Sequence, residues 1–266
     1  MFKRLWVMRM RKLSLFSGIG GIDLAAEWAG MTTVAFCERE PFPQKVLRKH
    51  WPNVPIYDDV CTLTAEKLKE DGIIGPGRTI DIVSAGYPCQ PESVAGKRRG
   101  KEDDRWLWPQ VARLLQELRP RWFVGENVAG HATMGLDKVL TDLENLSYTF
   151  QTFDIPAAAV DADHERRRLF IVAHSNGERS QGGAFSRSSG EMWKRAQKQF
   201  SRLLPASPQP KVSTADFSRE GYGLSRRLDE DRIKALGNAV YPYQIFPILA
   251  AIKAIDDYMG KAQGER

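Results

Sequence analysis

The stretch that most narrows the fold stands near the start of the chain. Residues 12–16 (Lys-Leu-Ser-Leu-Phe) have the composition of a short strand, Ser17-Gly18-Ile19-Gly20-Gly21 that of a tight turn, and residues 22–29 that of a helix closed by Gly30. A strand that passes through glycines straight into a helix opens an α/β unit with a parallel sheet. The glycines allow close backbone approach to a ligand, and the helix start offers free N–H groups and a partial positive charge. The Gly-x-Gly-x-x-Gly dinucleotide pattern breaks at its last position, where Asp23 stands, which disfavours a nicotinamide or flavin dinucleotide. Taken alone, the turn also fits a plain strand-to-helix connection.

The apolar runs that follow end on chemistry. Residues 32–37 read as a strand ending at Glu38, about twenty residues past the glycines, where nucleotide-binding sheets place the carboxylate that accepts from ribose hydroxyls. A further strand end at Ile56-Tyr57-Asp58-Asp59-Val60 offers a carboxylate to an adenine amine, or a cap to the helix that begins near Thr64. An adenosine-containing cofactor without a pyrophosphate points to S-adenosylmethionine. Residues 80–85 form a buried strand running into Gly86-Tyr87-Pro88-Cys89-Gln90-Pro91-Glu92-Ser93. Two prolines stiffen that turn and display Cys89 as a nucleophile is displayed, although most free cysteines are simply small buried residues. Residues 106–118 carry helical spacing at Leu107, Val111, Leu114, Leu115 and Leu118. Residues 120–125 read as a strand ending in Glu126-Asn127-Val128, which sets an acid beside the thiol. Beyond 155–160, alternation along the strand through Ala173 puts Arg166 and Arg168 on one face and Arg167 on the other.

Charge bears on the partner. Lys and Arg exceed Asp and Glu by 39 to 33, a net +6 that favours a polyanion. The surplus gathers in two places. Residues 94–105, glycine-flanked and basic, read as a lid or a solvated loop. Residues 174–228 mix Ser, Gly, Arg and Pro with Phe185, Trp193, Phe200, Phe217 and Tyr222, as a small nucleic-acid recognition module or a linker does. Cys37, Cys61 and Cys89 form no Cys-x-x-Cys pair or zinc pattern, and their odd number fits a reducing cytoplasm. No apolar run approaches the roughly twenty residues of a membrane helix.

In this order the motifs resemble those of the DNA cytosine methyltransferases that modify carbon-5. Phe16-Ser17-Gly18-Ile19-Gly20-Gly21 is similar to their first motif, Gly86-Tyr87-Pro88-Cys89-Gln90 to their Pro-Cys motif and Glu126-Asn127-Val128 to their Glu-Asn-Val motif. Arg166-x-Arg168 and Gly237-Asn238-Ala239-Val240 resemble the later ones. The likeness spans roughly 13–172 and resumes at about Gly221. It implies an α/β fold: a Rossmann-like, S-adenosylmethionine-dependent catalytic domain over 1–173, a small target-recognition domain over 174–228, and a segment over 229–266 that completes the catalytic domain.

The implied reaction moves a methyl group from S-adenosylmethionine to carbon-5 of a cytosine flipped out of a short specific site in double-stranded DNA. The Cys89 thiolate adds to carbon-6, Glu126 hydrogen-bonds N3 and the exocyclic amine, Arg168 holds the cytosine carbonyl oxygen, and Arg166 supports the site. The implied cofactor residues are Phe16, Ser17, Gly18, Gly20, Gly21, Glu38, Arg39, Asp59, Val60, Gly86, Asn238 and Val240, and no metal is called for. The cysteines and the lack of a long apolar run point to the cytoplasm and away from a membrane, and the expected state is a monomer, with room for a cognate restriction endonuclease as partner. Two departures stand out. His164 replaces a common glutamine, and Glu92 stands where the family commonly has an aromatic. A carboxylate facing the thiol raises its pKa, so a catalytically impaired DNA-binding relative is one alternative. A tRNA cytosine methyltransferase on the same fold is the other, and the lack of any cysteine after Cys89 speaks against it.

Overall fold

The computed structural model describes residues 10–88, 106–130, 135–162, 165–175 and 226–264. Cys89, Glu92, the basic stretch at 94–105, His164 and residues 176–225 of the expected recognition region lie outside the described residues.

In chain order the elements are β1 (Arg11–Leu15), α1 (Gly21–Trp28), β2 (Thr32–Cys37), α2 (Pro41–His50), β3 (Ile56–Tyr57), α3 (Ala65–Glu70) and β4 (Ile82–Ala85). They continue with α4 (Trp108–Leu118), β5 (Trp122–Val128), α5 (Leu136–Asn145), β6 (Tyr148–Ile155), a 3-10 turn at Ala157–Val160, β7 (Arg168–Ser175), α6 (Arg226–Asn238) and α7 (Pro242–Gly264). The strands form one seven-stranded sheet in the order β3-β2-β1-β4-β5-β7-β6. The first five are parallel, and β7 runs antiparallel to both β5 and β6. The chain leaves β1 toward one edge and returns through β4 toward the other, so a switch point opens at the carboxyl ends of β1 and β4, where open α/β sheets bind ligands.

Apolar side chains cover both faces, as a parallel sheet requires. On one side Leu13, Leu15, Val83, Phe123 and Ile171 pack under α4 and α5, with Trp108 fully buried between the rings of Tyr87 and Phe123. On the other, Ile82, Trp122, Val124 and Phe170 pack under α1 and α7 through Ala25, Ala26, Ile245, Leu249 and Ile252. The C-terminal helix is thus part of the same core as the first helix.

The expected α/β class and parallel start are present, and four local features differ from the expectation. The strand carrying Glu126 extends through Val128 instead of ending before the acid. Arg166 precedes its strand, with φ +21, where a regular strand residue was expected. Helix α5 and strand β6 occupy a stretch for which sequence analysis offered no element. Thr64, rather than an aspartate, caps α3, by accepting from Lys67 N at 3.1 Å.

Asp23, the residue that interrupts the dinucleotide pattern, has an internal use. Its buried carboxylate accepts from Lys12 Nζ, from Ser14 Oγ at 3.0 Å and from Thr33 Oγ1 at 2.9 Å, tying α1 to β1 and β2. Lys12 is itself fully buried, and desolvation draws its pKa down against the pull of Asp23. Removing one partner leaves an uncompensated charge in the core, whereas exchanging both for apolar groups does not. Asp23→Ala is therefore expected to cost about 3–5 kcal/mol of unfolding free energy, and the double change Lys12→Met with Asp23→Leu to restore most of it. Urea unfolding curves of the three proteins measure this.

Candidate active site

The pairing register of β5 and β7 builds the centre of the site. Val128 stands opposite Arg168 and Glu126 opposite Phe170, so Glu126 and Arg168 are diagonal neighbours on the same face, within reach of long side chains. Arg168 Nε lies 2.8 Å from Glu126 Oε1. Glu126 is almost wholly buried, and burial outweighs the two guanidiniums of Arg168 and Arg166, carrying its carboxyl from the ordinary 4.5 up to about 7. The group therefore holds a proton at neutral pH about as readily as it releases one. Arg167 points elsewhere and pairs with Asp154 at 2.8 Å, so the expected split of the three arginines holds.

Successive strand residues face opposite ways, and Asn127 uses that alternation. Its Nδ2 donates to Tyr87 O at 3.1 Å and its Oδ1 accepts from Val128 N at 2.9 Å. Tyr87 is buried, with its ring against Trp108 at 5.2 Å. The backbone leading to Cys89 is thus anchored by a core aromatic and a buried amide up to Pro88, the last described residue before the cysteine. Gly86 is the close-approach point: a Cβ there would meet Glu126 Oε2 at 3.4 Å and Phe16 O at 3.6 Å. The acid, the turn before Cys89 and the end of β1 therefore share one corner.

That corner holds a small cavity of about 40 Å³ lined by Phe16, Ser17, Gly18, Ile19, Gly21, Ile22, Gly86, Glu126, Asn238, Ala239 and Val240. Phe16, Ser17, Gly18, Gly21, Gly86, Asn238 and Val240, all expected as cofactor residues, come together here. The glycines divide their work. Gly18, at φ +54, has open space where a Cβ would stand. A Cβ on Gly21 would collide with the Val240 carbonyl oxygen, so this glycine admits the α6–α7 junction. Gly20, at φ +86, backs onto the Trp51 ring and lines an adjoining cleft of about 550 Å³ that shares Ile19, Gly21, Ala239 and Val240 with the small cavity and adds Leu24, Leu236, Tyr241 and Arg166.

Glu38 sits at the carboxyl end of β2 with its Oε2 accepting from Gly18 N at 2.7 Å and its Oε1 from Glu40 N at 2.8 Å. Each oxygen keeps a second lone pair for a further donor. Gln44, on α2, donates to both Glu38 O at 2.7 Å and Asp58 Oδ1 at 2.8 Å, setting the spacing of the β2 and β3 ends. Asp59 Oδ1 accepts from Cys61 N at 2.8 Å, which turns the chain toward buried Val60. Arg39, exposed beside Glu38, acts electrostatically on Cys61 and so lies on the same side as Asp59.

Sequence reasoning passed over Gln44 as a site residue and took Asn127 only as a motif letter. A polar residue on an amphipathic helix looks solvated until its fold partner is known, and only their burial marks these two. Among the described residues neither other cysteine competes with Cys89: burial pushes the Cys37 thiol up to about 12, and burial followed by Asp59 raises that of exposed Cys61. Among the described residues no cluster fit to hold a metal occurs, and no helix is long and apolar enough to cross a membrane.

The Type II methyltransferase M.AquIA of Picosynechococcus is 31% identical over 185 residues, 64% of this chain and 74% of that protein. The Type II methyltransferase M2.BsuMI of Bacillus subtilis is 34% identical over 176 residues, 62% of this chain, which covers 42% of that protein's length. The structure of the Entamoeba histolytica methyltransferase EhMeth superposes with a TM-score of 0.58 across 94% of this chain and 99% of its own, a likeness of fold at 14% identity. Residues 10–223 match the family model described as C-5 cytosine-specific DNA methylase, and the chain belongs to that family.

Proposed function

We propose that the chain transfers a methyl group from S-adenosylmethionine to carbon-5 of cytosine in double-stranded DNA. The observation that carries this reading is the convergence of the buried Glu126–Arg168 pair, the turn before Cys89 and the glycine turn on one cavity. A metabolic enzyme of the same sheet type has no need for an acid and a guanidinium spaced to read a pyrimidine edge.

The residues present suit the cofactor. Glu38 offers two carboxylate lone pairs to ribose hydroxyls, Asp59 and Val60 stand at the next strand end for an adenine, and Gly18 leaves open space over the turn. Phe16, Gly86 and Asn238 line the same cavity as Glu126. When bound, S-adenosylmethionine supplies an electrophilic sulfonium methyl.

The roles of this chain's own groups follow from their chemistry. Cytosine carbon-5 is a poor nucleophile until a thiolate has added to carbon-6, and Cys89 provides that thiol. The addition places negative charge on the ring, which a proton held at N3 neutralises. Glu126, with its carboxyl near 7, can donate to N3 while its other oxygen accepts from the exocyclic amine. Arg168 keeps that carboxyl oriented and has guanidinium N–H groups left for the cytosine carbonyl oxygen. Arg166 stands behind the pair rather than on the base.

We further assign 174–228 to target recognition, on its basic and aromatic composition, and 229–266 to completion of the catalytic core. The free thiols of Cys37 and Cys61 suit a reducing cytoplasm, and the reading includes a monomer with a cognate restriction endonuclease as partner.

Three measurements test the reading. Incubation with unmethylated duplex DNA and labelled S-adenosylmethionine is expected to yield carbon-5 methylcytosine in one short context, and Cys89→Ala to abolish it. The pH profile of kcat/KM for DNA is expected to fall on the alkaline side through an apparent pKa near 7 as Glu126 loses its proton. Glu126→Gln should lose about 10²–10⁴-fold in rate and with it that alkaline limb. The folded pKa of Glu126 lies above its unfolded value, so its contribution to stability is present in acid and declines as pH rises from 4.5 toward 7. Glu126→Gln should flatten that part of the stability curve.

A further inference from the structure

The junction Gly237-Asn238-Ala239-Val240 between α6 and α7 forms one wall of the cofactor cavity, and what holds it in place reaches across the molecule. Arg166 Nη2 donates to Gly237 O at 2.6 Å and also to Ala239 O, while Val240 O rests on Gly21. The same Arg166 acts electrostatically on Glu126. One side chain therefore touches the cofactor wall and biases the acid that reads the base.

Arg166 adopts φ +21, a conformation that a residue with a side chain avoids without external support. The support is Gln244, on the first turn of α7. Its Nε2 donates to Arg166 O and to Ile155 O, each at 2.9 Å, and the residue is fully buried. The contact is reciprocal: Arg166 holds the junction backbone with its side chain, and the residue just after the junction holds the Arg166 backbone with its own.

Gln244 Oε1 is buried without a hydrogen-bond partner among the described residues, a cost of about 1–3 kcal/mol set against the two carbonyls that its donors satisfy. The amide is therefore used through its donors.

We infer that Gln244 is a positioning residue: by fixing the backbone of Arg166 it sets where the guanidinium ties the Gly237–Val240 wall over the cofactor cavity beside Glu126. The inference rests on the methyltransferase reading for what the cavity binds. It names no contact between Gln244 and either substrate.

The test uses the full chain and compares wild type with Gln244→Met, which keeps the volume and loses both donors. Calorimetric titration with S-adenosylmethionine should show Kd raised about tenfold, and steady-state assays the same rise in KM for S-adenosylmethionine. KM for DNA should stay as in wild type, while the melting temperature of the ligand-free protein falls because the Arg166 and Ile155 carbonyls lose their donor. Unchanged cofactor affinity and turnover in Gln244→Met would overturn the inference, as would a parallel loss in every kinetic parameter, KM for DNA included. If Gln244→Met does not fold, Arg166→Lys decides. It keeps a charge near Glu126 but lacks the fork that spans two carbonyls, so it must show the same loss of affinity, and wild-type affinity there overturns the inference. A wild type that binds S-adenosylmethionine but methylates no DNA would remove the functional reading and leave the affinity comparison to judge Gln244.

Discussion

The interaction on which the site depends is the buried pairing of Glu126 with Arg168 across two antiparallel strands. A carboxylate in an apolar setting is expensive, and Arg168 at 2.8 Å and Arg166 behind it offset part of that cost without cancelling it. The residue of the cost shows as a carboxyl lifted toward neutrality. A carboxyl in that state can give a proton to a ring nitrogen and still accept from an amine, which an ordinary surface glutamate at pH 7 cannot do. The antiparallel turn of the sheet at β7 is what makes the pairing available, because it brings the arginine strand back alongside the end of β5.

The parallel half of the sheet does a different job. Strand ends at β1, β2 and β3 deliver the glycine turn, Glu38 and Asp59 in sequence, and buried polar ties fix their spacing. Asp23 joins α1 to β1 and β2, and Gln44 joins the ends of β2 and β3. These ties account for the position at which the dinucleotide pattern fails: a glycine in place of Asp23 would leave Lys12 alone in the core. The break in the motif is thus a structural commitment to this sheet as well as a sign against a pyrophosphate.

Much of the site was legible because local pattern and chemistry coincide there. Apolar runs ending in Glu38, Asp59, Gly86 and Glu126 announce themselves in order, and Arg167 parts from Arg166 and Arg168 as expected, although Arg166 and Arg167 precede β7 and do not alternate along it. What stayed hidden depends on partners distant in sequence. The direction of β7 follows from its pairing with β5 and β6, not from its residues. Strand β6, with half-exposed polar positions, has little pattern of its own. Asn127, Gln44 and Gln244 are polar letters whose meaning comes from the carbonyls they meet 40, 6 or 78 residues away. The glycine turn was only partly readable: Gly18 faces the cavity, while Gly20 and Gly21 are glycines because Trp51 and Val240 lie against them.

The most direct test of this account is the ionisation of Glu126 itself, followed through its side-chain carboxyl carbon by NMR and assigned by comparison with Glu126→Gln. The account predicts a titration centred near pH 7 in the protein free of DNA. A Glu126 that ionises in the ordinary carboxylate range near 4.5 would contradict it, because the site would then meet the cytosine with a permanent negative charge and no proton to give.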